Sequence, residues 1–282
     1  MTVKDLLADG IRILCENGID NARNEALWMF EAAFECGRDY PVFHGGEEAE
    51  SEKADRFLKM IEERKNGMPV QYVIGEWDFY GEIFKVGEGV LIPRPETEML
   101  VDFALEFLNV KKSPVVFDLC AGSGCIGLSV AKNRPDAKVF LLEKSEKAFE
   151  YLKANKELLA CDNAQLICGD LFSGFEGFGL PEPDLILSNP PYIESAEISL
   201  LQREVQKEPA MALDGGEDGY DFYRALASLW LPHCKGAIAI ECGENQTITI
   251  EKLFSKICAE VRSENDFNGI GRTVYGFIQR RI

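Results

Sequence analysis

The 282-residue sequence predicts an α/β fold, a doubly wound, mostly parallel sheet behind a small helical unit. Two observations carry this. From Pro114 onward, short β-branched and apolar runs alternate with helical patterns, and the first run opens directly into a glycine turn. Before Gly75 the chain shows only the helical period.

The elements follow in chain order. "TVKDLLADGIRILCENG" spaces Val3, Leu6, Leu7, Ile11 and Leu14 at helical intervals, with Thr2 as N-cap and Gly18 as stop. "NEALWMFEAAFECG" repeats the pattern and "EAESEKADRFLKMIEERKNG" predicts a third, charged helix. "EWDFYGEIFKVGEGVLIP" alternates around Gly81, as a hairpin joining two domains does. Strands are then predicted at "VVFDLC", "AKVFLLE", "AQLIC", "DLILS" and "GAIAIEC", with "AEVRSE" and "TVYGFIQ" closing the chain. Helices are expected up to about Asn133, over "SEKAFEYLKANKELL" and from about Gln246. The expected division is a helical substrate-recognition unit over 1–75, a linking hairpin over 76–92 and a catalytic domain over 93–282.

Composition narrows the function. A content of 46% hydrophobic and 28% charged residues is that of a globular protein with a real core. No stretch approaches the roughly 20 apolar residues of a membrane span. "MTVKDLLADG" lacks a basic segment followed by an apolar one, so no secretory signal is expected. Nine scattered cysteines without paired spacing point to reduced thiols, a cytoplasmic location and no metal site. The net charge of −18 disfavours nucleic acid, and residues 1–75 hold 9 Lys and Arg against 15 Asp and Glu, so no basic arm hides there.

The predicted strand ends carry the chemistry. In "FDLCAGSGCIGL", Gly122 and Gly124 let the backbone turn tightly into a helix N-terminus, although such turns also occur for purely structural reasons. Glu143 ends the second strand of the sheet about 20 residues on, where an acid can bind both ribose hydroxyls. Asp170 ends the third, beside Leu171 and Phe172, where it can read an adenine edge. Taken singly each is an ordinary loop acid; together, in order along one sheet edge, they fit an adenosine ligand.

The fourth strand end reads "SNPPYI". An amide or exocyclic amine nitrogen is a poor nucleophile because its lone pair is conjugated. Two acceptors aimed at its hydrogens draw it toward tetrahedral geometry. The Asn189 side-chain oxygen supplies one. The Pro190 carbonyl supplies the other, restricted by the Pro191 that follows. Tyr192 offers a ring on which the flat group stacks. Positioning and electrostatics, rather than proton abstraction, are the expected means. "NPPY" is far more specific than the glycine turn and implies methylation of a planar nitrogen.

The chain resembles the peptide chain release factor N5-glutamine methyltransferases, the HemK/PrmC family, nearly end to end. "MPVQYVIGEWDFYG" (68–81), "VLIPRPETE" (90–98), "DLCAGSG" (118–124), "SNPPYI" (188–193), "KEPAMALDGGEDGYDFYR" (207–224) and "AIECGENQ" (239–246) carry the likeness. The resemblance implies a class I, Rossmann-like, seven-stranded methyltransferase domain behind a helical domain and a hairpin. It implies S-adenosyl-L-methionine as cofactor, bound by Cys120, Ala121, Gly122, Ser123, Gly124, Glu143, Asp170, Leu171 and Asn189. It places catalysis on Asn189, Pro190 and Tyr192, and the substrate clamp on Asn189, Pro190, Pro191 and Tyr192. It implies a class I release factor as protein partner, methylated on the glutamine of its Gly-Gly-Gln loop. No nucleic-acid or membrane partner is expected, and the chain is expected to be a monomer. Cys120 and Ala121 depart from the family's commoner glycine and small polar residue; both are small, so the loop is expected to tolerate them.

Other readings stay open at this stage. A ribosomal-protein glutamine methyltransferase shares "NPPY", but "IPRPETE" favours the release-factor type. An adenine-N6 methyltransferase would also use the clamp, against the acidic charge and without a long C-terminal target-recognition segment. A catalytically dead adenosine-binding protein would not need the clamp intact. In "LIPRPETE", Thr97 and Glu98 can fold over the methionine moiety with Arg94 nearby, or simply start a helix. His44 and His233 fall at no strand end and are not candidate bases.

Overall fold

The computed structural model describes residues 1–278, which divide into two compact units: residues 1–76 with 202–207, and residues 77–201 with 208–278. The last predicted strand reaches Gln279, which lies outside the described residues.

The first unit is helical. Helices α1 (Val3–Glu16), α2 (Ala22–Phe34), α3 (Tyr40–Phe43), α4 (Ser51–Lys65) and α5 (Val70–Ile74) enclose a core that includes Leu6, Leu14, Met29, Phe30, Phe57 and Ile61. Thr2 caps α1 by accepting from the Asp5 amide, as its sequence position predicts. The short helices α3 and α5 are absent from the sequence reading, because one turn has no period to detect. Arg64 is buried against Glu25 and donates to Glu204 at 3.0 Å, while Arg203 donates to the Asn66 carbonyl at 2.8 Å. These bonds explain why residues 202–207 belong to this unit.

The hairpin β1 (Glu76–Phe79) and β2 (Glu82–Lys85) comes next, all but Glu76 within the second unit. Its two-residue turn puts Tyr80 and Gly81 both at positive φ, the geometry that matches the twist of the flanking strands. Helix α6 (Glu98–Leu108) follows. Then come β3 (Val115–Leu119), α7 (Cys125–Asn133), β4 (Lys138–Glu143), α8 (Glu146–Leu158), β5 (Ala164–Cys168), β6 (Leu185–Ser188), α9 (Asp221–Ala225), β7 (Ala237–Glu241), α10 (Thr247–Phe254), β8 (Glu260–Asn265) and β9 (Gly271–Phe277). The seven-stranded sheet has the order β5-β4-β3-β6-β7-β9-β8, with β9 antiparallel to both β7 and β8. This is the class I methyltransferase architecture the sequence implied.

Alternation along the central strands builds the layers. Val116, Val139, Leu141 and Leu187 point to one face and pack with α6, α7 and α8; Phe117, Phe140, Ile186 and Ile240 point to the other, where Tyr223, Trp230 and Phe254 cover them. Strand order reverses between β3 and β6, and the crevice beyond the carboxyl ends there is where such sheets bind ligands.

Candidate active site

A cleft opens at that crevice, with an empty volume of about 980 Å³ including its mouth. Its walls come from the ends of β3, β4, β5 and β6, the segment before α6, and the stretch around Met211.

The β3 end supplies the turn. Cys120, Ala121, Gly122 and Ser123 line the cleft. Cys120 stands at φ +65, a left-handed conformation natural to glycine, so the loop keeps its geometry without one there. Gly122 faces open space: a Cβ built on it meets no protein atom within 4 Å. Gly124 does not line the cleft; at φ +84 it opens α7, and a Cβ there would lie 2.4 Å from Leu152 Cδ1. Asn155 of α8 braces the loop by donating to the Ser123 carbonyl at 2.9 Å. Beneath it, Asp118 is fully buried; it accepts from the Gly127 amide at 2.8 Å, and its other oxygen has no partner. Burial pushes its carboxyl up to about 7, against the Gly127 bond that lowers it.

Glu143, at the end of β4, is 8% exposed and lines the cleft. Its oxygens accept from the Gly122 amide at 2.8 Å and the Ser145 amide at 2.6 Å. Burial raises its pKa against these backbone donors. Each oxygen keeps a second lone pair, so a carboxylate locked in place can still accept from a vicinal diol. At the end of β5, Asp170 accepts from the Phe172 amide at 2.9 Å and pairs with Lys144 at 2.7 Å. Burial raises its pKa, but Lys144 and the Phe172 amide outweigh that and hold it low. Leu171 and Phe172 line the cleft, and Phe172 meets the ring of Phe222 edge-on at 5.1 Å.

At the end of β6, Asn189 and Pro191 line the cleft. Pro190 is buried and Tyr192 half-buried; neither forms part of that lining. Tyr192 packs with the core on the face of Phe117, and its carbonyl accepts from the Gln246 side chain at 3.0 Å. Gln246 also accepts from the Gly243 amide at 2.8 Å, so the clamp is tied to the β7 end.

Three residues the sequence reading did not assign complete this edge. Thr97 does not cap α6; its hydroxyl donates to Glu241 and accepts from the Asn189 amide at 3.3 Å. Glu241, at the end of β7, is 2% exposed. Glu208 accepts from the Ile92 amide at 3.0 Å and from Arg94, holding the segment 91–94 on the cleft wall. Glu98 points elsewhere and accepts from the Tyr80 amide at 2.7 Å. The rule that singled out Glu143, an acid ending an apolar strand, also selects Glu241 in "AIAIE". Glu208 leaves no such local signal. His44 pairs with Glu47, and His233 stacks on Phe175. Among the described residues, no group of three metal-ligating side chains is assembled.

The residues fit S-adenosylmethionine: a buried, braced carboxylate for the ribose, open space over Gly122, and a largely apolar cleft.

Comparison with known proteins gives the same picture. Two families match, the PrmC N-terminal domain over residues 5–75 and the methyltransferase small domain over 97–217. A release factor glutamine methyltransferase of Aquifex aeolicus is 37% identical, over 80% of this chain and 81% of its own. One from Clostridium acetobutylicum is 33% identical over 97% and 98%. Among solved structures, the hMettl16 catalytic domain has a TM-score of 0.58 at 12% identity, covering 82% of this chain and 83% of its own. A methyltransferase from Pyrococcus furiosus has 0.51 at 18%, covering 81% and 98%. At such identities these two speak for the fold alone.

Proposed function

The chain belongs to the release factor glutamine methyltransferase family, and from that premise we infer that it methylates the side-chain amide nitrogen of a release-factor glutamine, using S-adenosyl-L-methionine. The finer reading is a class I factor and the glutamine of its Gly-Gly-Gln loop. The observation that carries methyl transfer to an amide nitrogen is the Asn189 side chain, whose NH2 group is held by Thr97 so that its oxygen is free to accept from the substrate amide.

Bound in the cleft, the cofactor supplies an electrophilic methyl group on a sulfonium. Glu143 would hold the ribose hydroxyls, Asp170 and Leu171 the adenine, and Cys120 to Ser123 the remainder, with Gly124 shaping the turn behind them. Asn189 Oδ1 and the Pro190 carbonyl accept the two amide hydrogens and draw charge onto nitrogen as it leaves conjugation. Pro191, on the cleft wall, would confine the flat group, with Tyr192 packed into the core beside it rather than on the lining. No side-chain base is required, because the methylated amide loses its proton to water.

Selectivity lies elsewhere, since glutamine amides are abundant. We assign it to residues 1–75, with 76–92 as linker and 93–282 as the catalytic part. Glycines beside the target let a backbone approach a narrow slot. The charge of −18 supports a protein substrate over nucleic acid. Among the described residues, no helix is long and apolar enough to cross a membrane. A monomer working in the cytoplasm completes the reading.

The test is label transfer from S-adenosylmethionine with the full-length chain. Intact release factor is expected to accept label on glutamine, a free Gly-Gly-Gln peptide to accept it poorly, and duplex DNA or RNA at low salt not at all. Label in adenine, with none in release factor, overturns this in favour of a nucleic-acid enzyme.

A further inference from the structure

We propose that Glu241 is a positioning residue that sets which end of the Asn189 amide faces the substrate, acting through the Thr97 hydroxyl. The inference rests on the glutamine-methylating reading and deepens it.

The argument is one of hydrogen-bond direction. Asn189 Nδ2 donates to Thr97 Oγ1, and the Thr97 hydroxyl donates to Glu241 Oε2. Thr97 and Glu241 are each 2% exposed, so solvent offers no substitute partner. An ionised carboxylate can only accept. The single Thr97 proton is then committed to Glu241, and Thr97 presents only lone pairs to Asn189. Asn189 must answer with its NH2 group, which turns Oδ1 toward the cleft. A protonated Glu241 can donate instead. The chain can then run backward, with Thr97 donating to Asn189 Oδ1, and the NH2 group would face the substrate's own NH2 group. The charge on Glu241 thus selects between a clamp that accepts and one that repels.

The surroundings place this choice near neutrality. Burial pushes the Glu241 carboxyl up to about 7; the Thr97 hydroxyl pulls it down, Glu96 pushes it up, and Arg272 and Arg94 pull it down. The other titratable groups facing it are Tyr192, Tyr223, Cys125 and Cys242, all raised and neutral through this range. A side chain with a purely structural task would not need to be acidic there, since burying a carboxylate is unfavourable.

The test is a four-point cycle in the full-length enzyme: wild type, Glu241→Gln, Asn189→Ala and the double variant. Each is assayed with labelled S-adenosylmethionine on intact release factor, with cofactor affinity from calorimetry. A glutamine at 241 offers both a donor and an acceptor, so it fixes no direction. Glu241→Gln is expected to lower kcat roughly 10-fold, about one hydrogen bond's effect, with cofactor Kd unchanged. Wild-type kcat should fall as pH drops below about 7, and that acid limb should flatten in Glu241→Gln. In the Asn189→Ala background Glu241→Gln should have no further effect, because the amide it orients is gone. Thr97→Val should reproduce the loss and Thr97→Ser recover it.

Wild-type kcat and acid limb in Glu241→Gln overturn the proposal, as does an equal loss in both backgrounds. If Glu241→Gln does not fold, the threonine pair decides: full activity in Thr97→Val, or a loss that serine does not recover, overturns it. A wild-type enzyme that labels no release factor defeats the functional reading and this inference with it. Labelling that is indifferent to residue 241 defeats this inference alone.

Discussion

The two edges of the cleft are built differently. On the cofactor edge, each group is fixed by its own neighbourhood: Glu143 is tied to Gly122 and Ser145, and Asp170 to Phe172 and Lys144. On the acceptor edge, Asn189 is fixed by Thr97, 92 residues away, and Thr97 by Glu241, another 144 residues on. On the proposed function, the cofactor edge would recognise a ligand that is the same in every turnover and can be encoded in short motifs. The acceptor edge must hold an amide in one of two nearly isosteric orientations, and only a directional chain of bonds does that.

The comparison is tested first where the largest effect is expected. Asn189→Ala removes an acceptor that matters most as nitrogen rehybridises. A kcat loss of about 100-fold or more is expected, the scale of losing one preorganised transition-state hydrogen bond, with cofactor affinity nearly intact. Asn189→Asp keeps an acceptor but adds a charge; it should tighten cofactor binding while misaligning the amide. Turnover by Asn189→Ala at the wild-type rate would erase the distinction between the edges.

Glu241 gives the next effect, in stability rather than rate. Its folded pKa of about 7 stands above the ordinary 4.5. Below pH 4.5 both folded and unfolded forms are protonated, and burial carries no charge penalty. Between 4.5 and 7 the unfolded chain ionises first, so stability falls as pH rises, by on the order of 3 kcal/mol in total. Glu241→Gln, always neutral, should therefore be more stable than wild type at pH 8 and similar to it at pH 4.5 in denaturant melts. A variant more stable yet slower would mark the acceptor edge as held at the expense of the fold. Destabilisation at both pH values would assign Glu241 to packing.

On the cofactor edge the effects are smaller and appear in affinity. Glu143→Ala should weaken S-adenosylmethionine binding by roughly 1.5–3 kcal/mol, the range for charge-assisted bonds, read by calorimetry. Asp170→Ala should act more weakly, because backbone groups would share the adenine contact. Equal losses for the two would mean that the brace around Glu143 confers no advantage.

The same difference explains what sequence could reveal. The parallel strands of the second unit, the hairpin turn at Gly81 and the places of Glu143, Asp170 and Asn189 on the cleft wall follow from local patterns, because strand ends in an α/β sheet converge on one edge; that Pro190 and Tyr192 stand off the lining does not. Thr97 was ambiguous between helix start and ligand contact, and only the position of β7 resolves it: its hydroxyl caps nothing. Glu241 carried a signal, an acid after four apolar residues, but no partner within reach in sequence. Glu208, Asp118 and the one-turn helices α3 and α5 had none, since tertiary contacts alone give them meaning.

The smallest expected effect lies within the cofactor edge, at Cys120. Cys120 holds φ +65, and a non-glycine residue in that conformation is disfavoured by roughly 1–2 kcal/mol. A glycine would relieve that strain but make the unfolded chain more flexible, at roughly 0.5–1 kcal/mol. It would also give up the packing of a thiol set against the core on the face of Phe117. The two sides nearly balance, so Cys120→Gly should move the melting temperature little, upward if strain dominates. Gly124→Ala, at φ +84 with Leu152 in the way of any Cβ, should lower it clearly. Thermal melts of both variants, with cofactor titrations beside them, decide whether the loop geometry resides in Gly124 and the Glu143 brace. A large loss in Cys120→Gly, with Gly124→Ala tolerated, would instead place it in the thiol and end the view of this edge as a backbone motif indifferent to the side chain at its first position.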